Sequence, residues 1–348
     1  MLTHLDEAAA PLWAMAHLGT PMAVRVAATL RIADHIAAGL RSAAELAAAT
    51  GADPDAVERL LRYLAVRGVF SLDEAGSYTL TPLGEPLRSD HPASVRSGLD
   101  IEGVGRSELA FVHLLHSIRT GEAAFAQLFG HDFWQDLAAD PARREAFTGL
   151  MHSMVRSRTS QILSGYDWGS LSRLVDVGGG NGAMLVALLT RYPQLRGTLV
   201  DLAENTDDAR KALVAAGLAD RSEVVPGSFF DPLPAGADGY LLSLILHDWN
   251  DKLAGQILRR CAEAAGSSGR VFVVEEVGAD NDRPHTGMDL RMLALYGGKE
   301  RRLAQLSALA LDAGLTVAAT HPAGAFSIVE LRAADQVRAE RRDPPEPA

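Results

Sequence analysis

The sequence predicts an α/β protein: a doubly wound, mostly parallel sheet whose last strand runs antiparallel, preceded by a mostly helical domain of winged-helix outline. Three observations predict it. From residue 170 onward, short apolar runs alternate with helical patterns. The first of those runs ends in a glycine-rich turn that passes straight into a helix. The last two runs are separated by only a short loop and so should pair as a hairpin.

In chain order, the first hundred residues read as small helices. Ser42 and Glu45 form a capping box that opens one helix, and Gly51 closes it. Asp53 and Pro54 open the next as N-cap and first helical residue. That helix gathers Val57, Leu60, Leu61, Leu64 and Ala65 on one face. Gly68 then leads into two short strands, Val69–Leu72 and Ser77–Leu80. Helix, turn, helix and hairpin make the winged-helix outline.

That outline suggests DNA binding, but the charges oppose it. Residues 1–100 carry eight arginines and no lysine against twelve acidic residues. The would-be recognition helix begins with Asp53, Asp55 and Glu58. Phosphate contacts need clustered basic side chains, so nucleic acid is not expected as a partner. The helices before residue 40 expose more apolar surface (Leu12, Met15, Leu18, Met22, Val26, Leu30) than a small lone domain needs, which predicts a homodimer.

Residues 101–165 read as helices around Phe111–Ile118, Phe133–Leu137 and Arg143–Ile162. The expected domains are therefore 1–100 for dimerisation, 101–165 as a helical linker and substrate cap, 166–333 for cofactor binding and catalysis, and a polar tail at 334–348. Phe147, Met151 and Met154 recur at helical spacing. Each alone suits core packing; together they could line an apolar cavity.

Whole-chain composition narrows the class further. With 348 residues and 47% hydrophobic content the chain can bury a large core, and 22% charged residues is ordinary for a globular protein. No apolar run reaches the roughly 18–20 residues that cross a membrane, and no membrane partner is expected. The N-terminus, with Asp6 and Glu7 and no basic segment, does not resemble a signal peptide, so a cytoplasmic location is expected. A single cysteine, Cys261, allows no internal disulfide and no cysteine metal cluster, and no histidine pair has ligand spacing. The net charge is −11.

The strands expected in the second half are 174–178, 197–202, 223–228, 239–246 and 270–277, followed by a hairpin of 315–320 and 326–331 with Pro322 and Gly324 in its loop. Gly178, Gly180 and Gly182 supply the backbone freedom that a tight turn beneath a ligand requires. Their spacing is one residue short of the dinucleotide pattern G-x-G-x-x-G. Alone, such a turn suits a purely structural role equally well. Asp201, 21 positions after Gly180, ends the next strand and can accept hydrogen bonds from both hydroxyls of a ribose, which favours a ribose-bearing cofactor.

The strand 239–246 leads into His247, Asp248 and Trp249, where open α/β sheets bind their substrates. The neighbouring strand ends in Glu275 and Glu276, one of which must face inward. Glu300 lies in a Gly-Gly-Lys-Glu loop that could return to the same edge. One histidine with flanking carboxylates is a base with its orienting partners.

The motifs LVDVGGGNG, GTLVDL, GSFFDPLP, LILHDW, VVEE and GGKE, in this order, resemble those of S-adenosylmethionine-dependent O-methyltransferases of the caffeic acid and acetylserotonin type, and within them the bacterial enzymes that modify aromatic polyketides and aryl acids. The resemblance implies a class I methyltransferase sheet and a homodimer. It implies S-adenosylmethionine as cofactor, S-adenosylhomocysteine as its product, and no metal. Gly178 and Gly180 would face the methionine portion, Asp201 the ribose, and Leu202 and Phe229 the adenine. His247 would be the general base, flanked by Glu275 and Glu300. Two positions depart from the family: Ser228 stands where an acid is common, and Ser243 where plant members often carry lysine. Phe147, Met151, Met154, Asp248, Met292 and Tyr296 would meet a planar phenolic acceptor, of the orsellinic or naphthoic kind or a larger polyketide. Two other readings stay open: a relative that binds the cofactor but hydroxylates or decarboxylates, and a ligand-responsive winged-helix regulator.

Overall fold

The computed structural model describes residues 9–278 and 286–334, without the side chains of residues 152–158. The chain forms two compact units. Residues 335–348 of the expected tail and the Met154 side chain lie outside the described residues.

The first unit runs to Leu109 and includes Ala142–Ala146. The helix Ala43–Thr50 starts on the Ser42–Glu45 capping box and stops at Gly51, whose φ of 68° only glycine adopts cheaply. Asp53 caps Pro54–Val66, which buries Val57, Leu61 and Leu64 against Ile32 and Leu46. Strands β1 (Phe70–Leu72) and β2 (Tyr78–Leu80) pair antiparallel as the wing. Leu12, Met15 and Leu18 are exposed.

In the second unit, β3 (Arg173–Val177), β4 (Arg196–Asp201), β5 (Ser222–Pro226), β6 (Gly239–Ser243), β7 (Arg270–Glu275), β8 (Leu315–Ala323) and β9 (Phe326–Ala333) form one sheet in the order β5-β4-β3-β6-β7-β9-β8. β3 to β7 are parallel, and β9 runs antiparallel to β7 and β8. The chain moves outward from β3 to β5, then returns so that β6 lies against β3. That reversal opens a crevice at the carboxyl ends of β3 and β6, where such sheets bind ligands.

Residue alternation builds a core on each face. Val175, Tyr240, Leu242, Val271 and Val273 pack on the helix Asp251–Ala265. Leu174, Leu199, Leu241 and Phe272 pack with Trp168 and the helix Ala183–Arg191. Each such side chain contributes about 1.5–3 kcal/mol by burial.

Three expectations change. β6 ends at Ser243, not at residue 246, because Leu244 adopts a left-handed φ of 58°. The segment from 111 is a 3-10 stretch to His113 before the helix Leu114–Thr120 begins. Pro322 is not in the hairpin loop but inside β8, opposite Ser327. β8 is an edge strand, where a residue without an N–H is tolerated.

Candidate active site

The glycine turn follows β3. Gly178 has φ 75° and Gly180 φ 56°. A Cβ on Gly178 would sit 2.6 Å from Ile245 Cδ1 and 3.4 Å from Phe229 Cδ1, so the turn passes closely over the loops after β5 and β6. The Gly180 N–H donates to Asp201 Oδ2 at 2.7 Å. Asp201 Oδ1 accepts from the Leu202 N–H at 2.7 Å and the Asn205 amide at 2.8 Å. Three bonds leave the carboxylate some of its roughly four acceptor positions. Beneath the turn, Asp176 is buried and its Oδ2 has no hydrogen-bond partner. Burial and then the Asp201 charge push its carboxyl up to about 7.

Two carboxylates below a glycine turn suit a ligand that carries hydroxyls and positive charge. S-adenosylmethionine, with its ribose, ammonium and sulfonium, fits those acceptors. Around the turn, Leu202 is exposed and Phe229 half-buried. The Ser228 hydroxyl accepts the Phe230 N–H at 3.2 Å, a local turn contact. Ser243 closes β6 opposite Val274.

The 3-10 turn Leu246–Asp248 carries the histidine. His247 Nδ1 lies 2.9 Å from Glu300 Oε1, and its backbone N–H donates to Glu275 Oε1 at 3.0 Å. Glu275 is therefore the inward carboxylate of its pair; it is buried, whereas Glu276 is half-buried. Asp248 Oδ1 is 3.6 Å from His247 Nε2, beyond hydrogen-bond range.

One imidazole thus faces three carboxylates. Burial, the largest influence, pushes it down. The Asp248 charge, the Glu300 hydrogen bond and the Glu275 charge together outweigh burial and push it up to about 10. Burial raises the Asp248 carboxyl to about 7 against the pull of His247, and raises Glu275 as well. With Glu300 holding Nδ1–H, the neutral ring presents a bare Nε2, the arrangement of a base.

Aromatic rings gather in the same unit. Phe133 packs edge-on against Phe147 at 5.3 Å and Tyr296 at 4.8 Å. Trp134 stacks on Tyr296 and Trp249 at 5.6 and 6.3 Å, and Trp249 meets Phe229 at 5.7 Å. A run of rings therefore joins Phe147 and Tyr296 to the glycine-turn side. Met292 is buried on the helix Thr286–Tyr296, and Met151 is half-buried on Pro141–Gly165.

Sequence reasoning missed Trp134, Trp249, Gly298 and Arg301. Trp249 stood inside the histidine motif, and Trp134 lay on an expected helix, so an aromatic pairing could have been sought. The burial of Arg301, 2% exposed, had no sequence signal, since arginines usually lie at the surface. Among the described residues, no histidine, cysteine, aspartate and glutamate group could hold a metal ion, and no helix is long and apolar enough to cross a membrane.

Residues 111–316 match the O-methyltransferase domain, and residues 14–90 the O-methyltransferase dimerisation domain. The chain belongs to the O-methyltransferase family. This O-methyltransferase is 54% identical to the 2,7-dihydroxy-5-methyl-1-naphthoate 7-O-methyltransferase of Streptomyces carzinostaticus, over 92% of its own length and 96% of the relative's. It is also 42% identical to the aclacinomycin 10-hydroxylase of Streptomyces purpurascens, over 92% and 90%. Its fold superposes with a TM-score of 0.88 on an O-methyltransferase from neocarzinostatin biosynthesis, solved with S-adenosylmethionine and 2-hydroxy-5-methyl naphthoic acid. There the identity is 52%, covering 95% of this chain and 99% of that one. The expected methyltransferase class is that of the naphthoate relative, and the expected cofactor is the one bound in the neocarzinostatin enzyme.

Proposed function

We propose that this O-methyltransferase, as a cytoplasmic homodimer, methylates a phenolic hydroxyl of an aromatic polyketide or an aryl acid of naphthoic or orsellinic type, in the biosynthesis of a bacterial secondary metabolite. The observation that carries the proposal is the His247–Glu300 pair at 2.9 Å, at the carboxyl edge of the sheet that also bears the glycine turn. The naphthoate relatives support the acceptor class, and the dimerisation domain supports the assembly.

In this reading Gly178, Gly180 and Asp201 hold the methionine and ribose portions of the cofactor, and Leu202 and Phe229 border its adenine, with Ser228 and Ser243 nearby. When bound, S-adenosylmethionine supplies an electrophilic methyl group. A phenol of pKa about 10 is ionised only to about one part in a thousand at pH 7, a deficit of roughly 4 kcal/mol in nucleophile. His247 Nε2, once the ring has shed its own proton, takes that of the phenol, an effect worth about 10²–10⁴-fold. Glu300 fixes the tautomer and stabilises the imidazolium, and Glu275 holds the backbone of the same residue. Phe147, Met151, Met292 and Tyr296 form the apolar bed for the acceptor, with Asp248 at its polar end. In sequence, residues 1–100 serve dimerisation, 101–165 act as a helical linker and substrate cap, and 166–333 carry catalysis.

The test is a mass-spectrometric turnover assay with S-adenosylmethionine against hydroxynaphthoates and other phenolic aryl acids, with His247→Ala alongside. A product 14 mass units heavier (roughly one CH₂ more, the chemistry of replacing O–H by O–CH₃) that His247→Ala fails to make is expected. The 10-hydroxylase relative supports a second reading, oxygen insertion on the same fold. An oxygenated product without methyl gain would favour that reading and sink the first.

A further inference from the structure

We infer that Arg301 is a positioning residue that clamps the backbone on both sides of His247 and so keeps the imidazole seated on Glu300. The inference rests on the methyl-transfer reading of this site.

The Arg301 side chain is fully buried. Its Nη1 donates to the Leu246 carbonyl at 2.7 Å and its Nη2 to the Trp249 carbonyl at 2.7 Å, one residue before and two after His247. Nη1 also reaches the Lys299 carbonyl at 3.3 Å, and Nε donates to Asp251 Oδ1 at 3.0 Å. A planar fork can hold two carbonyls and a carboxylate at once; a lysine ammonium, a single point of charge, cannot span them.

The same loop grips the turn twice more. The Lys299 N–H donates to the His247 carbonyl at 2.8 Å. A Cβ on Gly298 would lie 2.2 Å from that carbonyl oxygen, so only glycine permits the approach. The turn's own support is thin: Asp248 N–H to Ile245 at 3.3 Å and Trp249 N–H to Leu246 at 3.1 Å. It also follows Leu244 in a left-handed conformation. Its shape is therefore set from the 298–301 loop, the segment that carries Glu300.

The charges around the ring follow the same plan. Asp248, Glu275 and Glu300 act on His247, and the Arg301 charge pulls Glu275 down. Asp251 answers both Arg301 and Lys299, and Asp289 accepts the Glu300 N–H at 2.9 Å. Replacing Arg301 by lysine keeps a positive charge near the ring and removes the fork, which separates position from charge.

The experiment compares full-length wild type with Arg301→Lys on two acceptors: a hydroxynaphthoate, and a nitro-substituted analogue already ionised at pH 7. Corrected for the fraction of neutral His247 that its titration gives at the assay pH, the loss of base alignment should slow the first by about tenfold or more and the second by less than about threefold, because a phenolate needs no base. In parallel, NMR titration of the His247 ring should move from the alkaline range toward the ordinary 6.5 in Arg301→Lys, as Glu300 loses its hold. Equal slowing of both acceptors, or an unmoved titration, overturns the inference. If wild type methylates neither acceptor, the methyl-transfer reading fails for them, and the titration alone decides whether Arg301 positions the ring. Should Arg301→Lys not fold, Asp251→Asn, at a half-exposed side chain, must show the same acceptor contrast at smaller amplitude.

Discussion

His247 Nδ1 lies 2.9 Å from Glu300 Oε1, which leaves Nε2 as the ring atom free to meet an acceptor. Replacing His247 by alanine should lower turnover by about 10²–10⁴-fold. Binding of S-adenosylhomocysteine, measured by calorimetry, should stay within a few-fold of wild type. Full turnover in that variant would remove His247 from the chemistry.

Glu300→Gln keeps an acceptor opposite Nδ1 but removes the charge. The imidazolium loses a stabilising partner, so its pKa falls, and the rate on an un-ionised phenol, corrected for the larger neutral fraction, should drop about 10- to 100-fold. Addition of a pre-ionised acceptor should recover most of that loss. A drop of equal size on both acceptors would assign Glu300 a different job.

The pH dependence follows from the raised imidazole. Below about 10 the free enzyme holds a proton on His247, and the free phenol holds its own. The reacting pair must shed one of the two, so kcat/KM should rise with pH from 7 to 9, by up to about tenfold per unit. The sign for folding is consistent: stability contributed by the raised His247 is complete below 6.5 and lost as pH rises through about 10. A flat rate profile from pH 7 to 9 would contradict the assignment.

Two glycine substitutions should separate cofactor binding from base alignment. Gly178→Ala puts a Cβ 2.6 Å from Ile245 Cδ1 at φ 75°, and should weaken S-adenosylhomocysteine binding by tenfold or more, on the order of 1.4 kcal/mol. Gly298→Ala drives a Cβ onto the His247 carbonyl and should cost turnover first, with a stability loss of about 1–3 kcal/mol. Thermal melts and calorimetry on both variants check the split.

Asp201→Asn should weaken cofactor binding twice over. It removes the charge that the proposed reading sets against the ribose, and it loosens the Gly180 N–H bond that holds the turn. A roughly tenfold or greater rise in Kd is expected. An unchanged Kd would detach Asp201 from the cofactor.

The sheet and its glycine turn were legible because alternation, caps and glycines act over short stretches of chain. Glu275 and Glu300 were legible as candidates because each closes a strand or a glycine loop. What escaped was set by tertiary contact. The left-handed turn at Leu244 has no local glycine to announce it, so the strand appeared three residues too long. Pro322 read as a loop residue because nothing local told that its strand would lie at an edge. Arg301 drew no assignment because the carbonyls it satisfies lie more than 50 residues away. Trp134 and Trp249 drew no assignment, since their stacking depends on two segments meeting.

The two outer strands of the sheet also bear on how the chain behaves in company. β5 ends in Pro226, and β8 carries Pro322 together with a register shift between Val317 and Ala319. A neighbouring chain seeking to extend the ladder would find a missing donor on either flank. Self-association by strand addition, the route toward fibrils, is thereby discouraged at both margins of the sheet.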